Sequence, residues 1–315
     1  MALVSHAWFL TGPTAVGKTA VGLALAEKMD AEIISMDSMA IYRSMDIGTA
    51  KPTVEEQKRV RHHLIDTVAP HEDFSLAKYL GSAQEIAEEI SSRGRQVLFL
   101  GGTPLYLKGL LRGIFEGPPA DWEFRGALMK KSESNEPGWL HDQLKSVDPP
   151  TAARLHANDI RRIIRALEVF ERTGRPISEL QQQFERGMPA EACRVFVLDR
   201  PKEELQARID RRVESMFSAG LVDEVRRLLA DPRGLSKTAR QAVGYAEVID
   251  YYGEKHDLAA TVDRVKMHTR QLAKRQATWF RSLSECRFVN IETDCPPETV
   301  AEQILALPVL GAERE

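Results

Sequence analysis

The chain has 315 residues, a net charge of −3, 43% hydrophobic and 28% charged residues, proportions ordinary for a globular protein. No apolar run approaches the roughly 18 residues of a membrane span, and three cysteines without CxxC spacing exclude a disulfide framework or a zinc site. The charge excludes a globally basic nucleic-acid binder, so any such surface must be local.

The first apolar stretch, residues 7–11 (AWFLT), reads as a buried strand. The N-terminus has no basic region before it, so a signal peptide is not expected. Residues 17–29 have helical spacing, 31–36 (AEIISM) form a second strand, and 63–68 (HLIDTV) suggest a third. A helical pattern over 76–93 ends at Gly94, a residue suited to a C-cap, and 96–100 (QVLFL) is another strand. Strands alternating with helices predict a parallel sheet covered on both faces. From Phe115 the strand signal fades. GPPAD (117–121) breaks the chain, and helical stretches follow near 123–133, 138–145 and 158–173. Strand character returns at 195–201 and again at 287–292. The expected architecture is an α/β core like that of the P-loop NTPases, residues 1–115 and 193–315, interrupted by a helical insertion at 116–192.

Between the first strand and helix lies Gly12-Pro13-Thr14-Ala15-Val16-Gly17-Lys18-Thr19, which matches GxxxxGK[ST] in the context that motif needs. The glycines let backbone N–H groups turn inward, and the helix N-terminus adds partial positive charge. Lys18 adds a full charge, and the Thr19 hydroxyl can hold Mg2+. The motif specifies polyphosphate, not ATP. A nucleoside triphosphatase usually places a second carboxylate at the end of a neighbouring strand. Here the strand at 96–100 ends in Gly101-Gly102-Thr103. These residues suit either a tight turn or room for a bulky substrate with one hydroxyl contact; the hydroxyl would alternatively cap the next helix.

Asp37 stands at the carboxyl end of the second strand, the edge where doubly wound sheets bind ligands. It can take a proton, hold Mg2+, or cap the residues after it. Asp46, in a loop rich in Gly and Pro, ranks below it. In 205–217, Leu205, Ile209, Val213 and Met216 form an apolar stripe, with Arg212 inside it and Arg208 at its border. A cation facing a core needs an anion, either a buried carboxylate or a diphosphate.

Two helices have faces suited to RNA backbone. In 158–173, Ile160, Ile163, Ile164, Leu167 and Phe170 share one side, and Arg161, Arg162, Arg165 and Arg172 the other. In 264–281 there are six basic residues and no Asp or Glu. Each face alone also fits a solvated basic surface. Trp279, Phe280 and Tyr245 suit base stacking, a prenyl pocket or a core.

The segments GPTAVGKT, DSMAIYRSMDIGTAKP and GGTPLYLKGLLRG resemble the bacterial tRNA dimethylallyltransferases. So do HANDIRRIIRALEVF, RIDRRVESMFSAGLVDEV, QAVGYAEV and TRQLAKRQATWFR, and the resemblance runs from about residue 7 to 292. It implies transfer of a dimethylallyl group from dimethylallyl diphosphate to N6 of adenosine 37 in tRNAs reading codons beginning with U. It implies that Asp37 is the base, that Arg212 and Thr103 are active-site residues, and that the phosphate loop clamps the leaving diphosphate with Mg2+. It assigns tRNA contact to Asp37, Ser38, Met39, Ala40, Thr103, Arg125, Arg161, Arg162, Ile163, Ile164 and Arg165. The same assignment covers Gln241, Ala242, Val243, Gly244, Tyr245, Lys274, Arg275, Gln276 and Arg281. A cytoplasmic monomer acting on the anticodon stem-loop is expected. The alternative is a P-loop kinase acting on a nucleoside or small molecule.

Overall fold

The computed structural model describes residues 6–115, 117–181 and 187–309. The chain divides into two compact units, one made of Met1–Leu111 with Gly187–Glu315 and the other of Arg112–Arg186. In chain order come β1 (Trp8–Thr11), α1 (Lys18–Met29), β2 (Ala31–Ser35), α2 (Val54–Arg59), β3 (His62–His63), α3 (Leu76–Ser92), β4 (Gln96–Leu100) and α4 (Pro104–Arg112). The second unit carries α5 (Trp122–Glu133), α6 (Trp139–Val147), α7 (Pro149–Arg154), α8 (Ile160–Thr173) and α9 (Ile177–Leu180). The chain then returns with β5 (Val195–Asp199), α10 (Lys202–Ser218), α11 (Leu221–Leu229), α12 (Lys237–Arg240), α13 (Tyr245–Tyr252), α14 (Leu258–Arg281), β6 (Cys286–Asn290) and α15 (Pro297–Ala306).

Among the described residues, six parallel strands form one sheet in the order β3-β2-β4-β1-β5-β6. Side chains alternate across it, as the period of two requires. Phe9, Ile34, Phe99 and Val197 point to one face, where α3 and α4 supply Tyr79, Ala83, Ile90 and Leu107. Leu10, Ile33, Leu98 and Phe196 point to the other, under α1 and α15. Both faces are covered, so the strands are continuously apolar rather than alternating. This is the α/β parallel-sheet architecture expected from the sequence. No helix among the described residues is long and apolar enough to cross a membrane.

One expected strand is almost absent. Only His62–His63 pairs, because Leu64 (φ 57°) and Asp66 (φ 55°) turn into the left-handed region and end the ladder. Val68 makes only an isolated bridge to Tyr42. At this edge the buried Glu32 of β2 meets His63 Nε2 at 2.7 Å and Arg93 Nη2 at 2.9 Å.

The second unit has its own core of Leu140, Leu144, Ala152, Ile163, Ile164 and Leu167. Asp159 caps α8 by accepting from the Arg162 amide, and Gly174, at φ 68°, ends it.

Candidate active site

The phosphate loop is built on the central strand. Gly12 has φ 143°, and a Cβ there would lie 2.6 Å from the Leu198 carbonyl oxygen, so only glycine fits. Gly17, at φ 110°, turns the chain into α1. The carbonyls of Ala15 and Val16 accept from Arg208 Nε (2.8 Å) and Arg200 Nε (2.9 Å), two arginines that brace the loop from α10 and from the turn after β5. Val16 is buried in the core beneath. Lys18 Nζ donates to the carbonyls of Gly12 (3.0 Å) and Pro13 (2.9 Å). Burial, with Arg212 adding to it and Asp37 opposing, brings its pKa down to about 7.

Asp37 follows β2. Its Oδ1 accepts from the amides of Met39 (2.8 Å) and Ala40 (3.3 Å), while Oδ2 accepts nothing among the described residues. One oxygen thus caps the turn and the other is open for chemistry. Thr103 Oγ1 accepts from the Ser38 amide at 3.0 Å, and the Thr103 amide donates to Met36 O at 3.1 Å. The Thr103 hydroxyl therefore holds the Asp37 turn and does not cap α4. Close packing explains both glycines. A Cβ on Gly101 would lie 2.2 Å from the Met36 backbone, and one on Gly102 would lie 2.8 Å from Gln276 Nε2. Under the turn, Tyr79 and Tyr106 stack at 3.8 Å, and Tyr79 Oη donates to Ser35 O. Burial raises the pKa of both phenols, with Asp37 adding to the effect.

Arg212 reaches the same region from α10. Burial lowers its pKa and Asp37 opposes that shift; Nη2 donates to Thr49 O at 3.4 Å. The loop carrying Thr49 is itself held by a residue that the sequence reading passed over. Glu224, buried on α11, accepts from the amides of Asp46 (3.1 Å), Ile47 (2.9 Å) and Gly48 (3.3 Å), and from Tyr245 Oη at 2.5 Å. It lies on the buried stripe Leu221, Glu224, Val225, Leu228, so the periodicity that singles out Arg212 singles it out too. Asp46 pairs with Lys51 at 2.6 Å and is structural.

The residues matched to tRNA binding fall into different surroundings. Lys274 and Arg275 are exposed on α14 and form no ion pair among the described residues; Arg281 pairs with Asp199 at 3.3 Å. Gln241, Ser38, Met39 and Val243 are at least partly exposed. Ala40, Ala242, Gly244 and Gln276 are buried, as are Phe280 and Tyr245, whose ring packs on Gly48. A stacking role for Phe280 or Tyr245 does not fit that burial; both belong to the core. In the second unit Ile163 and Ile164 are core residues, so their side chains cannot meet RNA there, whereas Arg161 and Arg162 are exposed. Arg125 grips Glu168 with Nε at 2.8 Å and Nη2 at 2.7 Å, and Arg165 bonds the same carboxylate. Burial alone would raise the Glu168 pKa, but Arg125, the Asp121 amide and Arg165 prevail and hold it at about 2. Arg125 and Arg165 are thus first of all partners of a buried acid.

Two oxygens of the first unit could serve a hard cation. Asp37 has an oxygen without a protein donor, and the Thr19 hydroxyl makes no hydrogen bond among the described residues. No group of three or more His, Cys, Asp or Glu among those residues is arranged to hold a metal ion. One carboxylate and one hydroxyl suit Mg2+, which commonly takes its remaining ligands from substrate phosphates and water.

The model of the family described as IPP transferase matches residues 40–283. A tRNA dimethylallyltransferase from Rhodopirellula baltica is 46% identical, covering 94% of this chain and 93% of the relative. One from Thermotoga maritima is 45% identical, covering 89% and 90%. Among solved structures, a tRNA isopentenylpyrophosphate transferase from Bacillus halodurans is similar with TM-score 0.69 and 36% identity, over 96% of each chain. A eukaryotic dimethylallyltransferase described as acting on tRNA gives TM-score 0.73 and 25% identity, over 90% of this chain and 73% of that one.

Proposed function

The chain belongs to the IPP transferase family, and from that premise we propose that it transfers a dimethylallyl group from dimethylallyl diphosphate to tRNA. The acceptor is N6 of adenosine 37 in tRNAs that read codons beginning with U, and diphosphate is released. The observation that carries this reading is the open Oδ2 of Asp37 beside two half-buried cations, Lys18 and Arg212, at a phosphate loop.

The adenine amine is a weak nucleophile because its lone pair is delocalised into the ring. As the N6–C bond forms, Asp37 takes the amine proton, a contribution typically worth ~10²–10⁴-fold. The allylic C–O bond breaks with its electrons going to the diphosphate. Lys18, the loop amides and Arg212 stabilise the charge that develops there. Thr19 and Asp37 would hold Mg2+, which would supply further neutralisation of the diphosphate charge. Thr103 keeps the Asp37 turn in place. The base must leave its stack, at a cost of about a few kcal/mol, and Lys274 and Arg275 offer cations for the RNA backbone, whereas Arg162 is already paired with Asp159 at 2.9 Å. The protein acts as a cytoplasmic monomer in this reading.

The test incubates the protein with Mg2+, dimethylallyl diphosphate and undermodified tRNA, then seeks prenylated adenosine by mass spectrometry. Single-turnover transfer by Asp37→Asn is expected to fall ~10²–10⁴-fold with tRNA affinity little changed. Phosphoryl transfer from ATP, with the prenyl diphosphate ignored, would overturn the proposal.

A further inference from the structure

The buried positions of α14 include Thr269, Ala273, Gln276 and Phe280, a stripe of helical spacing. A glutamine on such a stripe must find partners for both ends of its amide. Gln276 is 8% exposed and finds them on two different loops. Its Oε1 accepts from the Thr14 amide at 2.8 Å, and its Nε2 donates to the Gly102 carbonyl at 2.6 Å. The orientation is fixed, because Thr14 N can only donate and Gly102 O can only accept. A methyl group at residue 102 would lie 2.8 Å from Nε2 and 3.3 Å from Lys18 Nζ, so both side chains crowd this backbone position.

One planar group therefore ties the phosphate loop to the turn after β4. From Gly102 the chain passes to Thr103, whose hydroxyl holds Ser38 and whose amide holds Met36, the neighbours of Asp37 on either side. Resting on the function proposed above, we infer that Gln276 is a positioning residue. It keeps the loop that holds the prenyl donor in register with the turn that carries the base, and it is not a contact to RNA.

The test compares Gln276→Leu, which keeps the bulk and loses both bonds, with wild type in kcat, tRNA affinity and exchange of the Thr14 amide. A misplacement of about 1 Å can cost about 100-fold. On that scale kcat at saturating donor and tRNA is expected to fall about 10–100-fold, while tRNA affinity stays within about twofold. Thr14 amide exchange is expected to accelerate whether or not the protein transfers a prenyl group, so the strut is read separately from the proposed function. Gly102→Ala crowds the same amide from the other side and leaves α14 intact. It should also lose kcat, and the two changes together should cost less than the sum of their separate effects. Weakened tRNA binding with unchanged kcat in Gln276→Leu would overturn the inference, as would unchanged Thr14 exchange or strict additivity with Gly102→Ala.

Discussion

At the half-buried Lys18, desolvation and the charge of Arg212 outweigh the opposing charge of Asp37, and the pKa falls from the ordinary 10.5 to about 7. Between those values the unfolded chain binds the extra proton, so the contribution of Lys18 to stability rises with pH across that window. Below pH 7 the cost of burying the charge is complete. Diphosphate favours the charged lysine, so binding at pH 8 should draw in about one proton. Calorimetric titration of inorganic pyrophosphate in buffers of differing protonation enthalpy, against Lys18→Met, checks this. Equal proton uptake by both proteins would refute it. Legibility at this scale followed polarity on apolar stripes. Arg212 stood out because a charge interrupted its stripe, and Glu224 and Gln276 interrupt theirs in the same way. What one chain in one dimension withholds is the partner: the amides of Asp46, Ile47 and Gly48 are over 170 residues from Glu224.

Helix α14 carries its cations unequally. Lys266 pairs with Glu214 at 2.6 Å and Arg270 with Asp210, both acids of α10, so part of the basic face seen in the sequence is neutralised by a neighbour. Lys274 and Arg275 keep their charge for a partner. Removing both should flatten the log–log dependence of tRNA affinity on salt by about 1.5, at roughly 0.7–0.9 for each phosphate no longer neutralised. Lys266→Ala and Arg270→Ala should change the slope much less, and equal effects at all four positions would refute this division between paired and unpaired cations. The helices were legible because their periodicity persists over many residues, and most strands because they are short, continuously apolar runs. The stretch 63–68 misled because its apolar residues promise a strand, while two left-handed residues, invisible to periodicity, stop it after His63.

Across the whole molecule, the two units bury separate cores. Leu144 is fully buried in the second, where a Leu→Ala change costs about 2–5 kcal/mol. Leu144→Ala should weaken tRNA binding and leave pyrophosphate binding by the phosphate loop near wild type; parallel loss of both, followed by calorimetry, would show that the cores are not independent. The two-residue strand β3 has a consequence of another kind. An open β-edge is a template on which foreign chains add and aggregates grow. On this side the template is two rungs long, followed by left-handed turns and backed by the ion cluster at Glu32, so an incoming strand finds almost nothing to copy.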